Sequence, residues 1–214
     1  IQQIMDLTLY RLFIIDQCKK LGFDLVGFAS ADEPIDPNDY LQKWLDNKYH
    51  GDMNYMDRNK EVRQNPKKLL PSCQTVIVLG LNYYHQDYEK DSQLNLKDSG
   101  KVSFYARGRD YHHVIRSKHK RLKETILQYD SNAEMISTVD TKPILEKAWA
   151  QQAGLGFIGK NTCLISFDFG SYIFLSTLLI NRKLQNDTPF ENHCGNCTRC
   201  IDACPTQAII APYQ

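Results

Sequence analysis

No apolar run in this sequence approaches the roughly 20 residues that a membrane-spanning helix needs. The longest, Tyr172 to Ile180, is interrupted by Ser176 and Thr177. Net charge is nearly missing as well: 26 Lys and Arg stand against 25 Asp and Glu, a formal charge of +1. No molecule-wide field therefore draws the chain to nucleic acid or lipid, and any such attraction must come from a local patch. Internal repeats and low-complexity tracts are absent, which argues against solenoids and linkers. No charged, apolar, small-residue leader follows Ile1, so a cytoplasmic chain without a membrane partner is expected rather than a secreted, disulfide-stapled one. What is present is an ordinary globular mixture, 42% hydrophobic, 11% aromatic and 24% charged over 214 residues, enough to bury a core.

Apolar residues at Leu7, Tyr10, Ile14, Cys18 and Leu21 follow helical spacing and stop at Gly22, predicting an opening helix. Phe23 to Ala29 reads as a short strand, and a helix is expected around Tyr40 to Leu45. Thr75 to Tyr84 lacks polar alternation, which suits a strand covered on both faces. A surface loop from His85 to Gly100, an extended Lys101 to Tyr105, a helix from His112 to Tyr129, a strand from Glu134 to Val139 and a helix from Pro143 to Ala153 follow. Thr162 to Phe167 and Tyr172 to Ile180 are expected to pair as a hairpin. Irregular alternation with a hairpin predicts an α+β fold, a mixed sheet with flanking helices over residues 1–180. From residue 181 the composition turns polar and then cysteine-dense, so a second module is expected over 181–214.

That module carries Cys194-x2-Cys197-x2-Cys200-x3-Cys204-Pro205, the spacing of a bacterial ferredoxin run. Structural zinc is the competing reading, but zinc sites join two separated Cys-x2-Cys knuckles, and the second is missing. Iron-sulfur ligation is therefore expected, with Cys194, Cys197 and Cys200 on one 4Fe-4S cluster and Cys204 serving another. Two clusters would need about eight, whereas the chain has seven cysteines, of which Cys18, Cys73 and Cys163 fall in core-like segments. The remaining ligands are expected in a part of the protein beyond Gln214.

Gly154-Leu155-Gly156-Phe157-Ile158-Gly159 fits G-x-G-x-x-G, yet a dinucleotide fingerprint needs a strand before it and a helix after, and here a helix precedes it. The glycines serve either as a helix stop and turn or as a close approach for a large cofactor. Asp140 ends an apolar strand at a strand-to-helix junction. In a poorly solvated pocket such a carboxyl becomes a proton donor; equally, Asp is a favoured helix cap. From Lys101 to Ile126, eight Lys and Arg, including Arg107, Arg109, Arg116, Lys118 and Lys120, stand against Asp110 and Glu124. This stretch is either a phosphate-seeking patch, with Tyr105 and Tyr111 available to stack on an unpaired base, or a solvated helix face.

Six segments in order, Gly51 to Met56, Val62 to Pro66, Tyr105 to His112, Val139-Asp140-Thr141, Glu146-Lys147 through Gly159-Lys160-Asn161-Thr162, and the cysteine run, resemble epoxyqueuosine reductase. The resemblance implies a cobalamin-binding, reductive-dehalogenase-like α+β domain followed by the start of a ferredoxin-like 4Fe-4S module. The implied activity is reduction of epoxyqueuosine to queuosine at the wobble position of tRNA. It further implies Asp140 as general acid and cofactor-binding residue, and Arg63, Ser103, Lys160, Asn161 and Leu164 as further residues lining the corrinoid. A monomer is expected, fed by an external low-potential donor protein. A corrinoid-dependent reductase of a small molecule, and a non-catalytic electron-transfer protein, are the alternatives.

Overall fold

The computed structural model describes residues 6–33, 35–36, 39–86, 100 and 102–214. Most of the loop expected from His85 to Gly100, and Lys101 itself, lie outside them.

Helix α1 (Leu7–Lys20) begins where the Asp6 carboxylate accepts the amides of Thr8 and Leu9, at 2.8 and 3.2 Å, and buries Tyr10, Ile14 and Cys18 at four-residue intervals. Gly22, at φ +76°, turns the chain into strand β1 (Leu25–Ser30). Helices α2 (Tyr40–Asp46) and α3 (Lys60–Gln64) lead to β2 (Thr75–Asn82), α4 (Tyr111–Tyr129), β3 (Met135–Thr138) and α5 (Glu146–Gln152). Two short strands, β4 (Phe157–Ile158) and β5 (Leu164–Ile165), precede β6 (Ile173–Ile180), and α6 (Arg199–Asp202) lies in the cysteine segment.

The main sheet runs β1-β2-β6-β3 and is antiparallel at every pairing, not mixed as the sequence suggested. Its central strands divide by the two-residue strand period. Ile77, Leu79, Leu178 and Ile180 share one core with the buried faces of α1 and α4, whereas Val76, Val78 and Leu179 share the other with Trp149 and Ala150 of α5. Coverage on both faces explains why β2 reads as an unbroken apolar run.

The expected hairpin is reduced to its turn: Ser166 and Gly170 exchange amide-to-carbonyl bonds at 2.9 and 3.0 Å, but the arms beyond them do not pair. Phe157 pairs with Ile165 in a separate two-stranded sheet, and β6 enters the main sheet between β2 and β3. Phe104–Ala106 is a 3-10 turn rather than an extended segment. Helix α5 starts later than the sequence suggests, because the chain from Asp140 to Pro143 bends instead of winding.

On the outer side of β1, Asp187 takes both main-chain groups of Phe28: its carboxylate accepts the Phe28 amide at 2.9 Å, and its own amide donates to the Phe28 carbonyl at 2.8 Å. Arg11 holds the same carboxylate at 2.5 Å.

His119 of α4 is buried, with Nε2 3.0 Å from the Ser176 hydroxyl and its ring against Phe23. Burial, then the nearby Lys123 charge, pull its pKa from 6.5 to about 4. Its contribution to stability is therefore present above 6.5 and lost as pH falls through about 4. Urea midpoints should fall less steeply with acidification in His119→Asn than in the parent; parallel profiles would exclude His119 as a source of acid lability.

Candidate active site

Strand β3 delivers Thr138, whose hydroxyl lies 2.7 Å from that of Thr177 on β6. The next residues leave the sheet. Val139 is buried, and Asp140 adopts φ +53°, a left-handed conformation that Asp tolerates better than most side chains. Its amide donates to Glu146 Oε1 at 3.0 Å, and the Thr138 hydroxyl donates to the same oxygen at 3.4 Å. Glu146, the first residue of α5, thus closes the bend from inside. Burial, with the Asp140 charge adding to it, pushes the Glu146 carboxyl from 4.5 to about 7, against the opposing pull of the Asp140 amide bond.

The Asp140 side chain points outward and is 66% exposed. It neither caps α5, whose cap position is Leu145, nor occupies a desolvated pocket as the sequence suggested; the desolvated carboxyl is Glu146. Asp140 Oδ2 lies 3.4 Å from His112 Nε2, and His112 Nδ1 lies 2.8 Å from Asp110 Oδ1. With a carboxylate at each nitrogen, only an imidazolium donates to both. The His112 bonds hold the Asp110 carboxyl below the usual carboxylate range. Tyr111 stacks on His112 at 4.0 Å and on Phe174 at 4.2 Å between ring centres. Burial, then the Asp140 and Glu146 charges, raise its phenol to about 12, so it is a neutral donor at any ordinary pH. A cavity of about 290 Å³ opens beside these groups, lined by Tyr105, Arg109, Asp110, Tyr111 and His112 among others, with Gly108 at φ +94° in its wall.

The other expected site residues form a second group. Lys160 and Asn161 lie in the turn between β4 and β5, and Leu164 opens β5. The Lys160 ammonium donates to the carbonyls of Gly195 and Cys197 at 2.7 and 2.9 Å, and the Tyr213 amide returns to the Lys160 carbonyl at 2.9 Å. Lys160 therefore ties the cysteine segment to the body of the fold. Asn161 accepts the Cys163 amide at 3.1 Å, and Leu164 is buried. Ser103 is exposed at the start of the 3-10 turn. Arg63 on α3 reaches the Tyr55 carbonyl at 3.3 Å, while its Nε is buried without a hydrogen-bond partner.

The glycines after α5 serve the chain's own packing. A Cβ on Gly156 would meet the Ile165 carbonyl oxygen at 2.4 Å, and one on Gly154 the Thr188 carbonyl oxygen at 2.8 Å. The open cradle considered for this loop is therefore filled by protein.

Cys194, Cys200 and Cys204 are partly exposed and Cys197 is exposed, all as free thiols. Among the described residues no three His, Cys, Asp or Glu side chains converge as they would around a single ion. A cubane occupies the space between its thiolates, so that criterion addresses zinc more than iron-sulfur. An amide bond from Ile209, followed by the Thr206 hydroxyl, lowers the Cys204 thiol, which favours the ligating thiolate. Cys18 and Cys73 are buried hydrophobes, their thiols raised by burial to about 12 and about 11, but Cys163 is exposed rather than part of the core.

Of the basic stretch, Lys118 is turned inward to the Leu21 carbonyl and Arg107 lies over Phe104; Arg109, Arg116, Lys120 and Arg121 are exposed. Sequence reasoning assigned no role to Glu146 or His112. A glutamate in a first helical turn looks like ordinary dipole complementation, and nothing local signals its burial.

Residues 63–141 match the family model described as epoxyqueuosine reductase QueG, DUF1730. The epoxyqueuosine reductase of Cellulophaga algicola is 41% identical over 194 residues, covering 91% of this chain and 61% of that protein. That of Synechocystis is 47% identical over 173 residues, covering 81% and 58%. The chain thus spans about three-fifths of these curated relatives. Among solved structures, an epoxyqueuosine reductase with an epoxyqueuosine-modified tRNA-Tyr stem loop superposes with a TM-score of 0.81 at 28% identity, covering 98% of this chain and 55% of the other. The Bacillus subtilis enzyme, captured with its catalytic aspartate loop swung out of the active site, gives 0.81 at 26% identity with the same coverage. The reductive dehalogenase NpRdhA, at 0.55 and 15% identity over 96% of this chain and 26% of that one, shares the fold. No helix among the described residues is long and apolar enough to cross a membrane.

Proposed function

We propose that this chain, which resembles the epoxyqueuosine reductases along nine-tenths of its length, forms the substrate-facing part of an enzyme that reduces epoxyqueuosine in tRNA to queuosine. The observation that carries the reading is the constellation Asp140–His112–Glu146, of which His112 borders an open cavity, since removing an epoxide oxygen as water consumes protons at that oxygen. Residues 1–180 form the catalytic domain and 181–214 the beginning of the iron-sulfur module. Bound cobalamin would supply electrons to the ring carbons, with iron-sulfur clusters refilling it from an external donor protein.

In this reading Asp140 presents a proton to the epoxide oxygen. His112, 3.4 Å from its carboxylate, replaces that proton, and Asp110 keeps the imidazole oriented. Glu146 and His112 hold the bend that bears Asp140, the first through the Asp140 amide and the second at its carboxylate. Arg63 fits a corrinoid: its unpartnered buried Nε offers a donor to an amide oxygen of such a ring. Lys160, Asn161, Leu164 and Ser103 line the cofactor, with Lys160 also fixing the cysteine segment. Cys194, Cys197, Cys200 and Cys204 are the cluster ligands.

The test is anaerobic reconstitution with iron, sulfide and cobalamin, followed by conversion of epoxyqueuosine-containing tRNA. Corrinoid uptake with queuosine formation is expected, and a protein that never takes up a corrinoid would overturn the reading. Cys197→Ala should abolish the charge-transfer absorbance of the thiolate-held cluster. Iron content equal to the parent's would remove Cys197 from the ligand set.

A further inference from the structure

A second cavity, of about 180 Å³, lies between α4 and the connection from β3 to α5. Arg116 and Lys142 border it, with hydroxyls from Ser137 and Thr141 and with buried His119 in its wall. No Asp or Glu lines it. Among the described residues neither Arg116 nor Lys142 has a carboxylate partner. The Lys142 ammonium is depressed from its ordinary value, first by burial and then by the Lys123 charge. A partly desolvated ammonium facing further cations is unfavourable until an anion joins it. Val139 and Thr141, which border this cavity, flank Asp140 in the chain, while His112, which borders the larger cavity, touches Asp140 from the other side.

We infer that this cavity is a subsite for a backbone phosphate of the RNA strand whose modified base is presented to Asp140. The inference rests on the tRNA reading above and adds to it a defined contact. Lys120 and Lys123 follow Arg116 along α4 at intervals of four and three residues, on one side of the helix, with Lys120 also 4.0 Å from the Glu124 carboxylate. A small free anion would need no such row, whereas a polyanionic strand leaving the cavity runs along it.

The experiment measures binding of an epoxyqueuosine-bearing anticodon stem loop to the parent chain, to Lys142→Gln and Arg116→Gln, and to Lys19→Gln on α1 as a control cation outside the cavity. Each cavity variant should raise the dissociation constant about tenfold at 0.1 M salt and reduce the salt slope by about one, while Lys19→Gln changes neither. Inorganic phosphate should shift the His119 ring resonances of the parent and not those of Lys142→Gln. Unchanged affinity and slope in both cavity variants, or an equal change in the control, would overturn the subsite. A phosphate shift without any effect of the variants on RNA would make this a free-anion site and overturn the strand assignment. Intact RNA effects in a protein that never converts epoxyqueuosine would support the subsite and strike the functional reading instead.

Discussion

Asp140→Asn should lower the single-turnover rate on epoxyqueuosine tRNA by about 10²- to 10⁴-fold, the usual contribution of a positioned proton donor. Asparagine tolerates the left-handed backbone at this position and keeps the amide that Glu146 accepts, so the bend should persist. The lost element is the transferable proton. Stem-loop affinity should therefore stay within about twofold, because an exposed carboxyl contributes little to ground-state binding. Rate and affinity measured on the same preparation separate the two effects. A variant that retains the parent's rate would remove Asp140 from the acid role, and one that loses RNA affinity in proportion would make it a binding residue.

Glu146→Ala should lower turnover by about 10²-fold through displacement of Asp140, the scale expected when a reacting group moves by about an ångström. The substrate KM should change little. Without the carboxyl, the Asp140 amide loses its acceptor, and its hydrogen exchange should accelerate. Glu146→Gln keeps an oxygen in that place and should restore slow exchange and most of the rate. Equal exchange in the parent and in Glu146→Ala would show that the bend is held by other contacts. The same residue sets a pH dependence. Its folded pKa, about 7, lies above the ordinary 4.5, so folding favours the protonated carboxyl. That contribution is full below 4.5 and is lost as pH rises through about 7. Glu146→Gln should flatten this stretch of the stability profile.

Elements fixed by local pattern were legible before any coordinates. The Tyr10, Ile14, Cys18 stripe and the Gly22 stop mark α1, and the unbroken apolar run of β2 marks a strand buried on both faces. Strand partners were not legible, because pairing joins distant segments. β6 inserts between β2 and β3, while two-residue β5 turns back on β4, and the turn at Asp168 to Gly170 fixes neither partner. At the site, the sequence singled out Asp140, whose place after an apolar strand is a positional signal. It misjudged the environment, since burial is a tertiary property: the exposed carboxyl is Asp140 and the desolvated one is Glu146. The glycine run was ambiguous for the same reason. What Gly156 accommodates is the Ile165 carbonyl, visible only once β5 is in place.

Edge strands ordinarily offer free amide and carbonyl groups on which a foreign strand can add. At β1 the bonds between Phe28 and Asp187 occupy that position, and Arg11 anchors the plug to α1. Ribbon-like stacking of one molecule on the next is thereby blocked at the middle of this border by a loop and a single ion pair.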